Sequence, residues 1–237
     1  MSDPPPRSPE VTRTRAWAGV AGGGAVVGGL GAGVLTDFPP QMELDGAVSE
    51  AVYVGDDRAP ALNWLLEALT APGGAIFRLV VFLAVLVWLV RRRAWPVAAW
   101  VLTAVVVIGP LTTLLKESFG RIRPDFDAGG ARLDSLSYPS GHASGIATLV
   151  TVALLLAWPV LSPRARRIWL AVGVAAVVLV GATRMWLGVH YLSDVIGGWA
   201  LGIAWSLLVA LAFGALPGGR RALPARQGRP VSSGMSP

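Results

Sequence analysis

Three short stretches of the 237-residue sequence decide the fold: LLKESFGRIRP at 114–124, YPSGHASG at 138–145 and ATRMWLGVHYLSD at 182–194. They contain the single lysine of the chain and both of its histidines. Each stretch lies where a long apolar run begins or ends. The rest of the sequence predicts a helical membrane scaffold that brings these three stretches together.

The composition is that of an integral membrane protein. Hydrophobic residues make up 54% of the chain and charged residues only 14%, with a mean hydropathy of +0.59. An average soluble domain is about 25% charged, so the long apolar runs place this chain in a bilayer. The absence of cysteine from the sequence excludes disulfides and thiolate metal sites. The net charge of +6 is typical of basic cytoplasmic loops and does not require nucleic acid as a partner.

Six apolar runs predict an all-α bundle of six transmembrane helices. The predicted spans are 16–35, 75–90, 95–115, 141–161, 168–184 and 191–216. They form one domain over 16–216, flanked by polar tails at 1–15 and 217–237 that we expect to be disordered. A signal sequence is the alternative for the first run, although that run is long for one.

Smaller patterns predict how the scaffold packs. In the acidic segment 36–74, four leucines at helical spacing indicate a short amphipathic helix on the membrane surface or against the bundle. These leucines are Leu62, Leu65, Leu66 and Leu69. Glycines recur at four-residue spacing in the first span, beginning with Gly19 and Gly23, which predicts close helix contacts. Arg78 starts the second span and is expected to reach the headgroups.

Basic residues predict the orientation of the bundle. The arginines at 91–93 and 164–167 and those of both tails fall on one face, which is assigned to the cytoplasm. We therefore expect both termini in the cytoplasm of a cell-membrane protein. The three decisive stretches then meet on the other face, at the outer membrane–water interface.

The first stretch offers basic side chains that suit a phosphate. Lys116 and Arg123 are seven residues apart and share one face if the helix continues. Gly120 and Pro124 make a break plausible. Arginine presents a planar fork of donors and lysine a compact charge. Side chains that merely reach the headgroups are an equal alternative for Lys116 or Arg123 taken alone, and the preferred interpretation for Arg121.

The second stretch is typical of an anion site at a helix N-terminus, where unpaired backbone N–H groups meet the positive end of the helix dipole. Ser140 can cap the helix and donate to a phosphate oxygen. Gly141 lets a ligand approach the backbone closely. His142 then lies in the first turn, beside the anion. For His142 taken alone, an interfacial histidine without a catalytic role is the preferred interpretation.

The third stretch pairs an imidazole with a carboxylate. His190 and Asp194 are four residues apart and share a helix face. A carboxylate that accepts a proton from one ring nitrogen leaves the other free to attack. Asp194 is also an acid inside an apolar run, where charge is usually functional. The alternative is an Asp194–Arg184 ion pair that only closes the loop, although Arg184 can also reach the outer pocket.

Together, the three stretches resemble the type-2 phosphatidic acid phosphatase superfamily. That superfamily includes membrane lipid phosphatases, bacterial acid phosphatases, glucose-6-phosphatase and vanadium haloperoxidases. Lys116, Arg123 and Pro124 match its Lys-x6-Arg-Pro motif. Residues 139–142 match Pro-Ser-Gly-His, and residues 183–194 match Ser-Arg-x5-His-x3-Asp. Thr183 replaces the serine and keeps a hydroxyl, and the motifs cover about 80 residues.

The resemblance implies a role for each motif residue. His190 attacks phosphorus to form a phosphohistidine with the help of Asp194, and His142 protonates the leaving oxygen. The residues that hold the phosphate oxygens are Lys116, Arg123, Ser140, Gly141 and Arg184. The resemblance implies no cofactor and no metal ion for hydrolysis.

The expected function is hydrolysis of a lipid phosphate or a polyprenyl pyrophosphate, such as phosphatidic acid, phosphatidylglycerophosphate or undecaprenyl pyrophosphate. Two alternatives stay open: a phosphoryl or headgroup transferase, and a non-catalytic lipid-binding or transport protein. The pair His142 and His190 disfavours the second, because a binding protein does not need it. The expected partners are the bilayer and the lipid substrate, and no nucleic acid. The sequence selects neither the lipid nor the oligomeric state.

Overall fold

The computed structural model describes residues 9–126 and 135–219. Within these ranges the regular structure is entirely helical, which confirms the all-α prediction. The helices are α1 (Pro9–Leu35), α2 (Pro39–Val52), α3 (Pro60–Thr70), a 3-10 helix (Ala71–Gly73), α4 (Ala75–Arg91), α5 (Trp95–Phe119), α6 (Gly141–Ala157), α7 (Pro163–Trp186) and α8 (Leu192–Phe213). Most of the two predicted tails, and residues 127–134, lie outside the described residues.

In the described part of the chain, four helices are long and apolar enough to cross a membrane: α1, α5, α7 and α8. A fifth candidate forms if α3 and α4, which meet at a bend of 48°, make one span. Helix α6 is apolar but has 17 residues, or roughly 25 Å at the usual rise per residue. It ends at Ala157 and not at the predicted Leu161, because Pro159 lacks the N–H that would continue it. The chain is a multi-pass membrane protein.

Two helices begin earlier than predicted. Helix α1 starts at Pro9, so residues 9–15, which the sequence assigned to a tail, are helical. Helix α7 starts at Pro163 because Ser162 caps it, accepting a hydrogen bond from the Ala165 N–H at 3.2 Å. In both cases charged residues continue the helix beyond its apolar run, which hydropathy alone does not indicate.

Helices α6 and α8 form the centre of the bundle, and small residues let them approach closely. A Cβ added to Gly198 would lie 2.6 Å from the Ser140 carbonyl, and one added to Gly202 would lie 2.4 Å from the Ser144 carbonyl. The Ser140 N–H donates to the Asp194 carbonyl at 2.9 Å. Close backbone contact of this kind is what holds helices together in lipid, where apolar burial between helices gains little.

Helix α1 packs along α8 through one of its glycine pairs. Gly19 and Gly23 both lie against α8, and a Cβ added to Gly23 would meet the Cβ of Ala204 at 2.8 Å. Gly24 and Gly28 face open space. The four-residue spacing therefore identified a helix contact for Gly19 and Gly23, but not for the next pair, Gly24 and Gly28.

One end of the bundle contains the N-termini of α4, α6 and α8 and the C-termini of α1, α5 and α7. The Val54 N–H, beyond α2, donates to the Trp186 carbonyl at the end of α7 at 3.2 Å. The Tyr138 hydroxyl, before α6, donates to the Val27 carbonyl of α1 at 2.6 Å. The arginine-rich turns lie at the opposite end. All three decisive stretches therefore come to the same end of the molecule.

Helices α2 and α3 pack at this end. The predicted amphipathic helix corresponds to α3, which packs on α7. Of its four leucines only Leu66 is buried, whereas Leu62 and Leu65 are exposed, and Trp64 beside them is 72% exposed. Helix α3 therefore presents an apolar outer face. Helix α2 was not predicted from the sequence.

Candidate active site

His190 lies in the loop before α8 with its ring fixed on both sides. Its Nδ1 is 3.3 Å from Asp194 Oδ2, and its Nε2 is 3.1 Å from Arg123 Nη1. Because a guanidinium can only donate, Nε2 is the accepting nitrogen and Nδ1 carries the proton. Burial lowers the pKa of His190 to about 3, although the hydrogen bond and charge of Asp194 oppose this. The ring is therefore neutral at neutral pH, with a lone pair on Nε2.

Asp194 is fully buried and accepts hydrogen bonds from several elements. Arg121 donates to Oδ1 at 2.9 Å, and the Tyr191 N–H donates to Oδ2 at 2.8 Å. The Ser137 hydroxyl also donates to Oδ2, and its oxygen is 3.3 Å from Nδ1 of His190. These contacts fix the carboxylate, which in turn fixes the tautomer of the imidazole.

Arg184 lies in the last turn of α7 and is not paired with Asp194, whose ion pair is with Arg121. Its Nη1 donates to Thr70 Oγ1 at 3.3 Å, and its Nε has no partner among the described residues. The side chain is only 6% exposed. A buried guanidinium with a free donor is suited to an anionic ligand. The loop-closing ion pair with Asp194 is therefore not observed.

Lys116 and Arg123 do not share a helix face, because helix α5 ends between them. Helix α5 ends before Gly120, whose φ of 65° is in the left-handed region that favours glycine. Beyond this turn, Arg123 Nε donates to the Ser135 carbonyl at 2.7 Å. Lys116 Nζ donates to the Leu136 carbonyl. The loop that returns toward α6 thus holds both cations.

His142 lies in the first turn of α6, as predicted. Ser140 caps this helix, and its Oγ accepts a hydrogen bond from the Ala143 N–H at 3.4 Å. A Cβ added to Gly74 would lie 3.8 Å from the His142 Nε2. The charges that act on His142 are those of Arg184, Arg123, Arg78 and Lys116. The charges of Arg123 and Arg184 also act on His190, so the same two arginines influence both imidazoles.

Arg121 differs from the expectation that it reaches the headgroups. It is 8% exposed and lies between two carboxylates, 2.7 Å from Asp45 Oδ2 and 2.9 Å from Asp194 Oδ1. Its guanidinium also lies 4.1 Å from the centre of the Tyr191 ring. Burial opposes its charge, but Asp194 and Asp45 more than offset this, and the pKa of Arg121 is raised. The expectation was wrong because the burial of Arg121 depends on residues distant in sequence.

Asp45 of α2 is a part of the site that sequence analysis missed. It is 2% exposed, and it accepts hydrogen bonds from the Ser193 N–H at 2.8 Å and the Ser193 hydroxyl at 2.5 Å. With Arg121, it joins α2 to the first turn of α8. No local signal in the sequence indicates this, because Ser193 is 148 residues away along the chain.

Arg78 is also buried, at 4% exposure. The expectation that it reaches the headgroups was therefore wrong. Its Nε donates to the Val105 carbonyl at 3.2 Å. Gly145 leaves room for it, since a Cβ there would lie 2.6 Å from Arg78 Nη1. Arg78, His142 and Lys116 line a cavity of about 250 Å³ between α4, α5 and α6. Among the described residues, no group of three or more His, Cys, Asp or Glu is placed to hold a metal ion.

An imidazole held by a carboxylate beside buried cations, at the ends of membrane helices, defines a class of membrane hydrolases that act on phosphate esters. The model of the PAP2 superfamily matches residues 94–216, which contain all three decisive stretches. Phosphatidylglycerophosphatase B of Bacillus subtilis is 34% identical over 172 residues, or 70% of this chain and 81% of the relative. The chain belongs to the PAP2 superfamily.

Other relatives are named for different lipid substrates. Lipid A 1-phosphatase of Rhizobium etli is 35% identical over 126 residues, 49% of this chain and 50% of the relative. Decaprenylphosphoryl-5-phosphoribose phosphatase of Mycobacterium tuberculosis is 37% identical over 115 residues, 47% of this chain and 57% of the relative. This chain thus spans about half the length of these two relatives.

A solved structure has the same fold. It is the crystal structure of a transmembrane PAP2 type phosphatidylglycerolphosphate phosphatase from Bacillus subtilis, which is 28% identical to this chain with a TM-score of 0.66. The match covers 80% of this chain and 93% of the solved chain. The likeness extends well beyond the three motifs to the packing of the helices.

Proposed function

We propose that this protein hydrolyses the phosphate of a membrane lipid by way of a phosphohistidine. The observation that carries the proposal is the ring of His190, which Asp194 holds at Nδ1 and Arg123 faces at Nε2. A neutral nucleophile is thereby aimed at the cations that would bind its target.

The reaction proceeds in two displacements. First, His190 Nε2 attacks phosphorus, the bond to the lipid oxygen breaks, and protonated His142 gives that oxygen a proton. Water then attacks the phosphohistidine and gives a proton to His142, and cleavage of the P–N bond releases inorganic phosphate. Both histidines return to their starting states, so protons and bonds balance over the cycle.

The remaining motif residues stabilise the charge that develops on the three non-bridging phosphate oxygens. Lys116, Arg123 and Arg184 supply positive charge. The Ser140 hydroxyl and the Gly141 amide supply donors at the N-terminus of α6, where the helix dipole favours an anion. Donors fixed in place before the reaction are effective because they need no reorganisation in the transition state. The proposal needs no metal ion.

The topology is a part of the same proposal. Residues 16–216 form one domain of six crossings, in which α6 and the bent α3–α4 unit complete the four longer spans. The arginine-rich turns at the far end of the bundle favour the cytoplasm for that end and for both termini. The site then lies at the outer face of the cell membrane. As a part of the bent span, α3 directs its exposed apolar face toward lipid.

A phosphate beside an apolar tail is the chemistry that this site would recognise. The names of the relatives all indicate this chemistry, since phosphatidylglycerophosphate, lipid A 1-phosphate and decaprenylphosphoryl-5-phosphoribose each carry a phosphate on a lipid. We infer a substrate of this class, either a phosphate monoester or a prenyl diphosphate.

Phosphate release by the purified protein in detergent with excess chelator tests the proposal. The substrates are phosphatidic acid, phosphatidylglycerophosphate and a prenyl diphosphate. We expect hydrolysis of at least one, a loss of at least ~1,000-fold in kcat for His190→Ala, and a loss of roughly 100- to 10,000-fold for His142→Ala. Glu117→Gln, which alters an exposed residue beside Lys116, is the control and should keep full activity.

Two results would contradict the proposal: activity that returns only on addition of a divalent metal, or an active His190→Ala variant. Transfer of label to an added lipid with no free phosphate would indicate the transferase. For the topology, right-side-out vesicles should hydrolyse an added short-chain substrate without detergent. Activity that requires permeabilisation would place the site on the cytoplasmic side.

A further inference from the structure

Arg78 carries a charge that the proposed reaction does not use. It lies in the first turn of α4 and is 4% exposed. None of the ion pairs among residues 9–126 and 135–219 includes it. Its contact through Nε is to the neutral carbonyl of Val105. A buried charge without a counter-charge in a membrane helix is costly, so such charges mark ligand sites.

The position of Arg78 shows which side of the substrate it would meet. The cavity that it lines contains His142 and Lys116 but not His190. Since His142 protonates the leaving oxygen, this cavity lies on the leaving-group side of the phosphate under attack. The hydroxyl oxygens of Thr112 and Ser144, 3.1 Å apart, also line it, and each hydroxyl donates to a backbone carbonyl of its own helix.

The sequence keeps this space open for the guanidinium. Gly145 is one turn beyond His142 on α6, and a Cβ there would lie 2.6 Å from Arg78 Nη1 and 2.2 Å from the Gly73 carbonyl. Gly73 itself lies against the backbone of His142. The glycines thus let Arg78 approach the catalytic end of α6 within a cavity of about 250 Å³.

We propose that Arg78 binds a second anionic phosphate on the leaving group and so selects lipids that carry two linked phosphates. The second phosphate is either the inner phosphate of a diphosphate or the phosphodiester of a glycerophosphate headgroup. A lipid such as phosphatidic acid, with one phosphate on an apolar glyceride, leaves Arg78 without a counter-charge. This inference rests on the proposed function, since it assigns the leaving-group side from the role of His142.

Matched substrates test the proposal. One pair is phosphatidylglycerophosphate and phosphatidic acid with the same acyl chains, and the other is a prenyl diphosphate and its monophosphate. For Arg78→Gln we expect kcat/KM to fall at least ~10-fold on the doubly charged member of one pair, and by less than ~3-fold on its partner. The pair that responds identifies the diphosphate or the phosphodiester as the ligand. Arg78→Lys should retain part of the preference for the doubly charged lipid. Arg92→Gln, at the exposed far end of α4, is the matched control and should retain the whole preference.

An equal loss on both members of each pair, or no loss on either, would overturn the inference. If Arg78→Gln does not fold, inhibition of the wild type decides: inorganic pyrophosphate should compete at least ~10-fold more tightly than orthophosphate, and equal inhibition would overturn the inference. A wild type that hydrolyses none of the four lipids would instead refute the proposed function. A wild type that hydrolyses them without any effect of Arg78 refutes the inference alone.

Discussion

At the residue scale, the site depends on a series of charges that runs from Asp45 through Arg121 to Asp194 and His190. Arg121 is shared between two carboxylates, at 2.7 Å and 2.9 Å. Held by Asp194 alone, it would pull that carboxylate away from the imidazole. Asp45 touches Arg121 and Ser193 but neither histidine, so we regard it as a positioning residue.

Replacement of Asp45 by asparagine should therefore lower kcat by roughly 10- to 100-fold through misplacement of His190, while KM changes by less than ~3-fold. Steady-state kinetics on one lipid phosphate measures both. Glu43→Gln, an exposed change on the same helix, is the matched control. A higher KM at unchanged kcat would mean that Asp45 affects substrate binding, which contradicts a positioning role.

The sequence was informative about residues whose role is local and silent about those whose role is distant. The cap at Ser140 and the spacing of His190 and Asp194 are local patterns, and both are observed. The partners of Arg121 lie 73 and 76 residues away, in different helices. Arg78 likewise turns inward only because Gly145 leaves room for it. Hydropathy cannot distinguish such buried cations from ones that reach the headgroups.

At the element scale, the contact between α6 and α8 sets the distance between the two histidines. Gly202 has no room for a side chain, because a Cβ would meet the Ser144 carbonyl at 2.4 Å and the Ala147 Cβ at 2.8 Å. The neighbouring atoms are backbone and a short side chain, so they cannot turn away. Any substitution at this position must separate the helices that carry His142 and Asp194.

Gly202→Ala should consequently destabilise the protein by about 1–3 kcal/mol, the usual range for overpacking, and lower kcat as well. Thermal unfolding in detergent and phosphate release measure the two effects. Gly24→Ala, at a helical glycine of α1 that faces open space, should leave activity unchanged and should not lower the stability, because alanine is the better helix former. Equal stability of the two variants would show that α6 and α8 are less closely packed than the structure indicates.

Long apolar runs predicted their helices well, and the exceptions have physical causes. Helix α2 was missed because its sequence mixes acidic and apolar residues, although Pro39 and Pro40 at its N-terminus are a recognised start signal. Helix α6 is short because Pro159 ends it. The break between α3 and α4 follows the 3-10 turn at 71–73, which apolarity does not reveal.

At the scale of the whole molecule, alternating helices bring three stretches that are distant in sequence to one end of the bundle. Alternation requires only that successive apolar helices cross the membrane in opposite directions, so the sequence predicted this feature. The number of crossings was not accessible from sequence. Helix α6, with 17 residues, is near the lower length limit for a span, and the 48° bend between α3 and α4 leaves open whether they form one span. The long-range contacts of α2 were equally inaccessible.

In the proposed reaction, the phosphoryl group passes through His190 before it reaches water. The stereochemical course at phosphorus tests this most directly, because each in-line displacement inverts the configuration and two restore it. A lipid phosphorothioate made chiral with oxygen isotopes should be hydrolysed in isotopically labelled water with overall retention of configuration. Overall inversion would mean that water attacks the substrate directly, and would contradict the role assigned to His190.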